Sequence, residues 1–108
     1  MAKRIQRGQF YSINNKQIKG HKGRVVSVKK GKVKAVVVTH SRFVKENKGK
    51  DKKTIQLNKN PDKKDKRKAF VSRKPKYAKL NQIGKHHPNM KVTDSKDKSV
   101  FRKIGKKK

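Results

Sequence analysis

Two valine-rich runs in the first half of the chain alternate between hydrophobic and polar positions and predict a β-hairpin. The runs cover residues 24–28 and 33–39, and β-branched residues such as valine favour strands. The intervening sequence, Lys-Lys-Gly-Lys at 29–32, predicts a tight turn because its glycine can adopt a positive φ. We therefore expect the two runs to pair as antiparallel strands.

The valines occupy both faces of this predicted hairpin. Because side chains alternate along a strand, one face is expected to hold Val26, Val28, Val33, Ala35 and Val37. The opposite face is expected to hold Val25, Val36 and Val38. Hydrophobic residues on both faces indicate that the sheet is buried on two sides, as in a small and strongly curved barrel.

Shorter signals predict the remaining elements. Further strands are expected at 9–13, 54–57 and 69–72, with a charged loop over 58–67 and a mobile loop over 45–53. After residue 72 the hydrophobic pattern weakens, and we expect one short helix from Pro75 to Gly84 and another capped by Asp94 or Ser95. The sequence thus predicts a mainly β protein: a small β-barrel with basic loops over 1–72, then a Lys-rich, largely irregular extension with short helices over 73–108.

The charge of the chain indicates a polyanionic partner. Lys and Arg number 36 against 6 Asp and Glu, which gives a formal net charge of +30. Self-repulsion at this charge opposes compaction, whereas each cation that meets a phosphate releases condensed counterions. We therefore expect the protein to bind nucleic acid. RNA is favoured over DNA, because no predicted helix is long and regular enough to read a major groove.

The residue types disfavour catalysis and metal binding. Without cysteine, neither a disulfide nor a thiolate zinc site can form. The acidic residues all fall in predicted loops or in the extension, where a carboxylate pair for acid–base chemistry or Mg²⁺ is hard to assemble. The histidines, His21, His40, His86 and His87, lack the further ligands of a metal site. We expect no cofactor, no metal and no small-molecule substrate.

Membrane association is also disfavoured. No apolar run is long enough to span a bilayer, and no amphipathic stretch has a broad apolar face. The N-terminus lacks the apolar run of a signal peptide, so we expect a cytoplasmic location, or else the compartment that holds the nucleic acid. A disordered cationic tail without a dedicated ligand is the simplest alternative, and the strand signals of the first half argue against it.

Residues 20–37 resemble the KOW-type pattern. They read Gly-His-Lys-Gly-Arg-Val-Val-Ser-Val-Lys-Lys-Gly-Lys-Val-Lys-Ala-Val-Val, which is similar to a glycine–basic–glycine start, a valine strand, a basic turn and a second valine strand. KOW-type domains are SH3-like barrels found in several ribosomal proteins and transcription factors. The resemblance implies an SH3-like barrel that binds structured RNA in a ribosome-like particle.

A second resemblance is to the PemK/MazF family of mRNA-cutting toxins. It comprises Arg-Gly-Gln-Phe-Tyr at 7–11, Gly-Arg-Val-Val at 23–26 and Val-Val-Val-Thr-His-Ser at 36–41. The chain departs from the family pattern at Gln9, Val25 and His40. This resemblance also implies an SH3-like barrel, and as an alternative function an endoribonuclease, or an inactive derivative, from a plasmid or phage. The catalytic pair would then fall on Arg24 and Thr39.

The residues expected to contact nucleic acid are cations of the N-terminal segment, the glycine-containing turns, the charged loop and the extension. They are Lys3, Arg4, Arg7, Lys19, His21, Lys22, Arg24, Lys29, Lys30, Lys32, His40, Arg42, Lys63, Lys64, Lys66, Arg67, Arg73, Lys74, Lys76, Arg102, Lys106 and Lys107. The aromatic residues Phe10, Tyr11, Phe43 and Tyr77 could stack on unpaired bases. Because the chain has so few residues to build a core, we expect these rings to pack inside it instead. A third possibility is a DNA-packaging protein that acts by charge alone.

Overall fold

The computed structural model of the protein describes residues 5–14, 19–45 and 49–107, without the side chains of Lys19 and Lys45. These residues form nine β-strands, one 3₁₀ turn at Leu80–Gln82 and one α-helix. The strands are β1 (Phe10–Asn14), β2 (Lys19–Lys29), β3 (Lys32–Thr39), β4 (Phe43–Lys45), β5 (Asp51–Lys53), β6 (Ile55–Gln56), β7 (Phe70–Val71), β8 (Lys76–Lys79) and β9 (Ile83–His87), and the helix is α1 (Ser95–Gly105). The fold is therefore mainly β, as predicted. No helix among the described residues has the length and apolar character needed to cross a bilayer.

The strands form one large antiparallel sheet and a separate hairpin. The order in the large sheet is β6-β7-β3-β2-β1-β9. Strand β3 pairs with β2 along one edge. Along its other edge, residues 32–35 of β3 pair with β8 and residues 38–39 pair with β7. Strands β4 and β5 pair only with each other in the described part of the chain. Within the described residues the sheet is not closed into a continuous ring, since β6 and β9 lie at its two ends.

The predicted hairpin of β2 and β3 is confirmed. The two strands pair up to Lys29 and Lys32, which leaves only Lys30 and Gly31 in the turn. Both turn residues have a positive φ, 47° and 77° respectively. This is the two-residue turn whose twist matches that of the flanking strands, and it explains why glycine follows the lysines here.

A β-bulge at Val26 changes which valines share a face. The register between β2 and β3 shifts between Val25 and Ser27, so Val26 is the extra residue. Val25 therefore packs with Val33, whereas Val26 lies on the face of Val36. The predicted assignment of Val25 and Val26 to faces is wrong, because strict alternation does not allow for the inserted residue.

Hydrophobic side chains are buried on both faces of the sheet, as the valine pattern predicts. One cluster, here called the sheet core, consists of Tyr11, Ile13, Val25, Val33, Ala35, Val37, Ala78 and Ile83. The other, the helix-side core, consists of Phe10, Val36, Val38, Leu57, Ala69, Val71, Met90, Phe101 and Ile104. The helix α1 and the segments around residues 57–69 and 90–92 cover the second face.

Residues beyond 72 belong to the fold and do not form an irregular extension. Strand β8 pairs with β3, and β9 pairs with β1. Helix α1 buries Phe101 and Ile104, each 1% exposed, in the helix-side core. The predicted helix from Pro75 to Gly84 is wrong, because pairing with β3 and β1 draws most of this segment into strands. The predicted last helix is confirmed, with Asp94 at its N-cap.

The shorter predicted elements have mixed outcomes. The strands expected at 9–13, 54–57 and 69–72 are present as β1, β6 and β7, the last two with two residues each. Residues 58–67 contain neither strand nor helix, as expected of the charged loop. The loop predicted over 45–53 instead contains β5, and its residues 46–48 lie outside the described part.

Candidate nucleic-acid interface

Aspartates of helix α1 hold one end of the loop at residues 58–68, here called the acid-anchored loop. The Asp97 side chain is 2% exposed, and its two oxygens accept hydrogen bonds from the backbone N–H groups of Asn58 (2.8 Å) and Lys59 (3.0 Å). The Asp94 carboxylate caps the helix through the Asp97 N–H and accepts from the Asn58 side chain at 3.1 Å. These bonds lower the pKa of Asp94, that from the Asp97 N–H most strongly.

Further aspartates fix the other part of the acid-anchored loop to the sheet. Asp62 accepts from Lys22 Nζ of β2 at 3.3 Å. The Asp65 carboxylate lies 3.3 Å from Nε2 of His40, which follows β3. The Arg67 guanidinium donates a hydrogen bond to each oxygen of this carboxylate, and these bonds hold the pKa of Asp65 well below its usual range. The His40 Nδ1 atom lies 3.1 Å from the Lys68 carbonyl oxygen.

The carboxylates of the described residues lie mostly at the acid-anchored loop, so other parts of the surface carry lysine and arginine with little negative charge nearby. Four of the five aspartates in the described residues, Asp62, Asp65, Asp94 and Asp97, are bonded to the acid-anchored loop or lie within it. The fifth, Asp51, is exposed on β5. Negative charge is therefore concentrated around this loop, and a phosphate elsewhere meets little repulsion.

A basic groove of about 930 Å³ lies where helix α1 meets β2 and the segments 7–9 and 88–92. Among the residues that the structure describes, six lysines and arginines line it, and no aspartate or glutamate does. They are Arg7, Arg24, Lys91, Lys98, Arg102 and Lys106. This concentration of unopposed positive charge in a concave surface makes the basic groove the candidate site.

Helix α1 and its C-cap residue Lys106 supply three of these cations because of the helical periodicity. Lys98, Arg102 and Lys106 are spaced four residues apart, so they fall on one side of the helix and its C-terminal end. Phe101 and Ile104 lie on the neighbouring side and are buried in the helix-side core. The packing of these two apolar residues thus orients the row of cations toward the groove.

Arg24 is the cation that β2 contributes, and it is half-buried. Its guanidinium carbon lies 5.7 Å from the centroid of the Phe101 ring, and burial lowers the pKa of its side chain. No carboxylate of the described residues forms an ion pair with it. A Cβ on Gly8 would lie 3.6 Å from Arg24 Nη2, so the backbone at this positive-φ glycine runs directly beside the guanidinium. A phosphate in the groove would give this partly desolvated charge a partner.

A second, smaller pocket of about 290 Å³ adjoins the basic groove, since Met90 lies in the wall of both. His21, Lys22, His40 and Arg67 line it together with the aspartates of the acid-anchored loop. Burial lowers the pKa of His21, and the nearby His40 acts in the same direction. Positive charge therefore continues from the groove, but here it is largely neutralised by carboxylates.

Four of the predicted nucleic-acid contacts come together in the basic groove: Arg7, Arg24, Arg102 and Lys106. Lys91 and Lys98 also line it and were not among the predicted residues. The four-residue spacing from Lys98 to Arg102 is visible in the sequence and could have identified Lys98 once the helix was predicted. Lys91 follows an irregular segment, and nothing in the sequence pattern distinguishes it.

The other predicted contacts among the described side chains lie outside the groove. Lys29, Lys30 and Lys32 are exposed at the tip of the β2–β3 hairpin, and Lys63, Lys64 and Lys66 are exposed in the acid-anchored loop. Of the rest, Lys76 is half-buried, and the following are exposed: Arg42, Arg73, Lys74 and Lys107. Lys3, Arg4 and the side chain of Lys19 fall outside the described residues.

The pair implied by the PemK/MazF resemblance does not converge. Arg24 pairs with Val36, and residues directly opposite in a sheet share a face. Thr39 is three residues further along β3, so its side chain points to the opposite face. Thr39 is also 3% exposed. The two side chains therefore cannot act on the same phosphate in this arrangement.

Three of the four histidines, His40, His86 and His87, have side-chain contacts within the fold. His86 stacks on the Tyr11 ring at a centroid distance of 4.7 Å, and its Nε2 lies 3.0 Å from the side-chain oxygen of Gln9. His87 Nε2 lies 2.7 Å from Ser12 Oγ. Among the described residues, no three side chains of histidine, aspartate or glutamate are grouped so as to hold a metal ion.

No protein-family model matches this chain, and no curated protein or solved structure matches it. The functional interpretation therefore depends on the geometry and charge of the molecule itself.

Proposed function

We propose that the protein is a non-catalytic RNA-binding protein that holds the phosphodiester backbone of a structured RNA in the basic groove. The observation that supports this most is the lining of the groove, in which the described residues provide six cations and no carboxylate. We further propose that the bound RNA belongs to a cytoplasmic, ribosome-like particle, where the net charge of +30 is neutralised by surrounding phosphates.

The chemistry of the lining suits phosphate. Arg24 and Arg102 carry planar guanidinium groups, which can donate two parallel hydrogen bonds to one phosphate. Lys98, Arg102 and Lys106 repeat at intervals of about 6 Å along the helix axis, so they form a row that can follow a charged backbone. Such contacts position a nucleic acid without reading its sequence.

The strand arrangement supports an SH3-like barrel as the scaffold. The sheet contains the consecutive neighbours β9-β1-β2-β3, with β8 on the far edge of β3, and a 3₁₀ turn joins β8 to β9. This order is compatible with the barrel implied by both family resemblances. The scaffold places the glycine-containing β2 strand beside helix α1, where the groove forms.

RNA is a better partner than duplex DNA for this surface. A recognition helix must present one exposed face to the major groove. Helix α1 packs Phe101 and Ile104 into the helix-side core and turns its cations toward a concave groove. It is also the single α-helix in the described residues. A concave, phosphate-binding surface suits an irregular RNA fold, whose backbone bends into such a site.

Two double variants of helix α1 test the proposal. Lys98→Gln with Arg102→Gln removes two charges from the groove, whereas Lys96→Gln with Lys103→Gln removes two exposed charges of the same helix that do not line it. We expect the groove variant to bind a labelled structured RNA more weakly. Its plot of log affinity against log KCl should be shallower by about two, one for each lost phosphate contact.

The control variant should keep most of the wild-type affinity and salt slope. Equal losses in both variants would mean that charge alone, and not the groove, binds the RNA. Each sample is also run on a denaturing gel, where shortened RNA would contradict a non-catalytic role and favour a PemK/MazF-like ribonuclease. Co-sedimentation of the wild-type protein with ribosomes, lost in the groove variant, would support the proposed particle.

A further inference from the structure

Phe43 exposes its ring to an unusual extent for a chain with so few aromatic residues. It is 55% exposed, whereas Phe10 and Tyr11 are 1% and 4% exposed in the cores. The sequence predicts that the rings of Phe10, Tyr11, Phe43 and Tyr77 pack inside. This prediction is wrong for Phe43 and also for Tyr77, which is 47% exposed. A water-exposed aromatic ring offers a face on which another aromatic group can stack.

The backbone that carries the exposed Phe43 side chain is held by its hairpin. Phe43 of β4 pairs with Lys53 of β5. The next residue, Thr54, is 5% exposed, and its hydroxyl donates to the Arg42 carbonyl oxygen at 2.7 Å while its N–H donates to the same oxygen at 2.8 Å. These bonds fix the backbone at the base of the hairpin, so the position from which the Phe43 side chain projects is set before a ligand binds.

A pocket of about 410 Å³ lies beside this ring. Its lining includes the cations Arg42 and Lys53, the amide side chain of Gln56, and Phe70, which is 5% exposed. A third cation is close, since Arg73 Nε donates to the Lys53 carbonyl oxygen at 2.9 Å. The volume falls within the range of about 300–1,000 Å³ in which small ligands bind.

We propose that this pocket holds one unpaired nucleotide of the bound RNA, with its base stacked on Phe43. A nucleotide combines a flat aromatic base with a negative phosphate, which matches a ring flanked by Arg42 and Lys53. The Gln56 amide offers both a donor and an acceptor, as the edge of a base requires. The inference rests on the proposed RNA-binding function and adds a contact to bases, which the basic groove does not provide.

The first experiment uses Phe43→Trp. The chain contains no tryptophan, so this variant carries its single tryptophan at position 43, and tryptophan emission can be excited apart from that of the two tyrosines. We expect its emission to be quenched by a single-stranded RNA oligonucleotide and to change little with a fully paired RNA of the same length. Heparin, a polyanion without bases, serves as the charge control. Quenching by heparin equal to that by single-stranded RNA, or no quenching by either, would overturn the stacking proposal.

The second experiment compares Phe43→Leu with the wild type. Leucine keeps an apolar side chain but lacks a ring, so affinity for an RNA with an unpaired loop should fall by about 5- to 100-fold. Affinity for the fully paired RNA should be unchanged. Because the side chain is exposed, the urea midpoint should stay at the wild-type value, which verifies folding.

The groove variant at Lys98 and Arg102 separates the two proposals. It should weaken binding to both RNAs. If Phe43→Leu binds the looped RNA as the wild type does while the groove variant is still impaired, the nucleotide pocket is wrong and RNA binding by the groove stands. If the groove variant is unimpaired while Phe43→Leu is weakened, the groove is wrong and the pocket is the principal contact.

Discussion

The guanidinium carbon of Arg24 lies 5.7 Å from the centroid of the Phe101 ring, and this contact joins strand β2 to helix α1 at the basic groove. The Phe101 ring in turn meets Phe10 edge-on, with centroids 6.0 Å apart. One side of Arg24 is therefore fixed by the helix-side core, while the charge faces the groove. The same residue positions the helix and supplies the half-buried cation of the site.

Substitution of Arg24 should affect RNA affinity more than folding. Arg24→Ala is expected to weaken RNA binding by about 1–3 kcal/mol, because a charged hydrogen-bond donor to phosphate is lost. The free energy of unfolding should fall by no more than about 2 kcal/mol, the size of a cation–π contact that is partly desolvated. Filter binding at fixed KCl and urea denaturation measure the two quantities.

Arg24→Lys is the informative companion to this variant. Lysine keeps the charge but loses the planar fork and much of the stacking on Phe101. It should retain part of the affinity that Arg24→Ala loses. Equal affinities of the lysine and alanine variants would show that the charge at this position does not contribute to RNA binding.

Asp97 should be more important for stability than any exposed carboxylate. Asp97→Asn replaces a buried group that accepts from two backbone N–H groups, those of Asn58 and Lys59. The asparagine side chain keeps one oxygen that can accept one of these hydrogen bonds. Its NH₂ group replaces the other oxygen and faces the second backbone N–H, so two donors oppose each other. We expect the free energy of unfolding to fall by about 2–4 kcal/mol, measured by urea denaturation followed by circular dichroism.

Asp51→Asn is the matched control, because it makes the same change of charge on the exposed strand β5. Its effect on the free energy of unfolding should remain within about 0.5 kcal/mol. Equal destabilisation by the two variants would mean that loss of negative charge, and not loss of the loop anchor, is responsible.

Elements specified by local signals could be predicted from the sequence. The turn at Lys30 and Gly31 and the helix cap at Asp94 depend on residues within a few positions of each other, and both are present. The burial of both faces of β3 follows from its unbroken run of valines at 36–38.

Features that depend on remote partners could not be predicted. The sequence of β8 and β9 has the spacing of a helix, and only pairing with β3 and β1 makes strands of it. The bulge at Val26 has no local sequence signal. The basic groove forms only when Phe101 packs against the sheet, so the convergence of Arg24 with Lys98 could not be seen in the linear sequence.

Gly23 should not tolerate a side chain. An added Cβ would lie 2.7 Å from the Ile13 Cδ1 atom, which belongs to a fully buried side chain, and 3.3 Å from the Ala35 Cβ atom. Gly23→Ala is therefore expected to lower the free energy of unfolding by about 1–3 kcal/mol through overpacking of the sheet core. Gly84→Ala in β9 is the control, since its closest contact would be an ordinary 3.4 Å. Comparable losses in thermal denaturation of both variants would contradict the steric explanation.

The last prediction concerns the pH dependence contributed by His87. Burial is the main reason that the pKa of His87 lies below its ordinary value of 6.5, and the neighbouring Lys22 and Lys85 lower it further. The folded protein thus binds fewer protons at this site than the unfolded chain once the pH falls below about 6.5. The neutral ring stabilises the fold above that pH, and this contribution is lost as the pH decreases through the folded pKa.

In the folded protein, His87 Nε2 lies 2.7 Å from Ser12 Oγ. His87→Gln removes the titrating imidazole but keeps a polar group that can form a hydrogen bond with Ser12. Between pH 7.5 and 5.5, at constant ionic strength, the variant should lose less free energy of unfolding than the wild type. The lowered pKa values of Asp65 and Asp94 do not interfere, because both carboxylates stay ionised throughout this range. Urea denaturation curves at each pH provide the comparison. Identical pH dependence in the two proteins would show that His87 is as easily protonated in the folded state as in the unfolded chain.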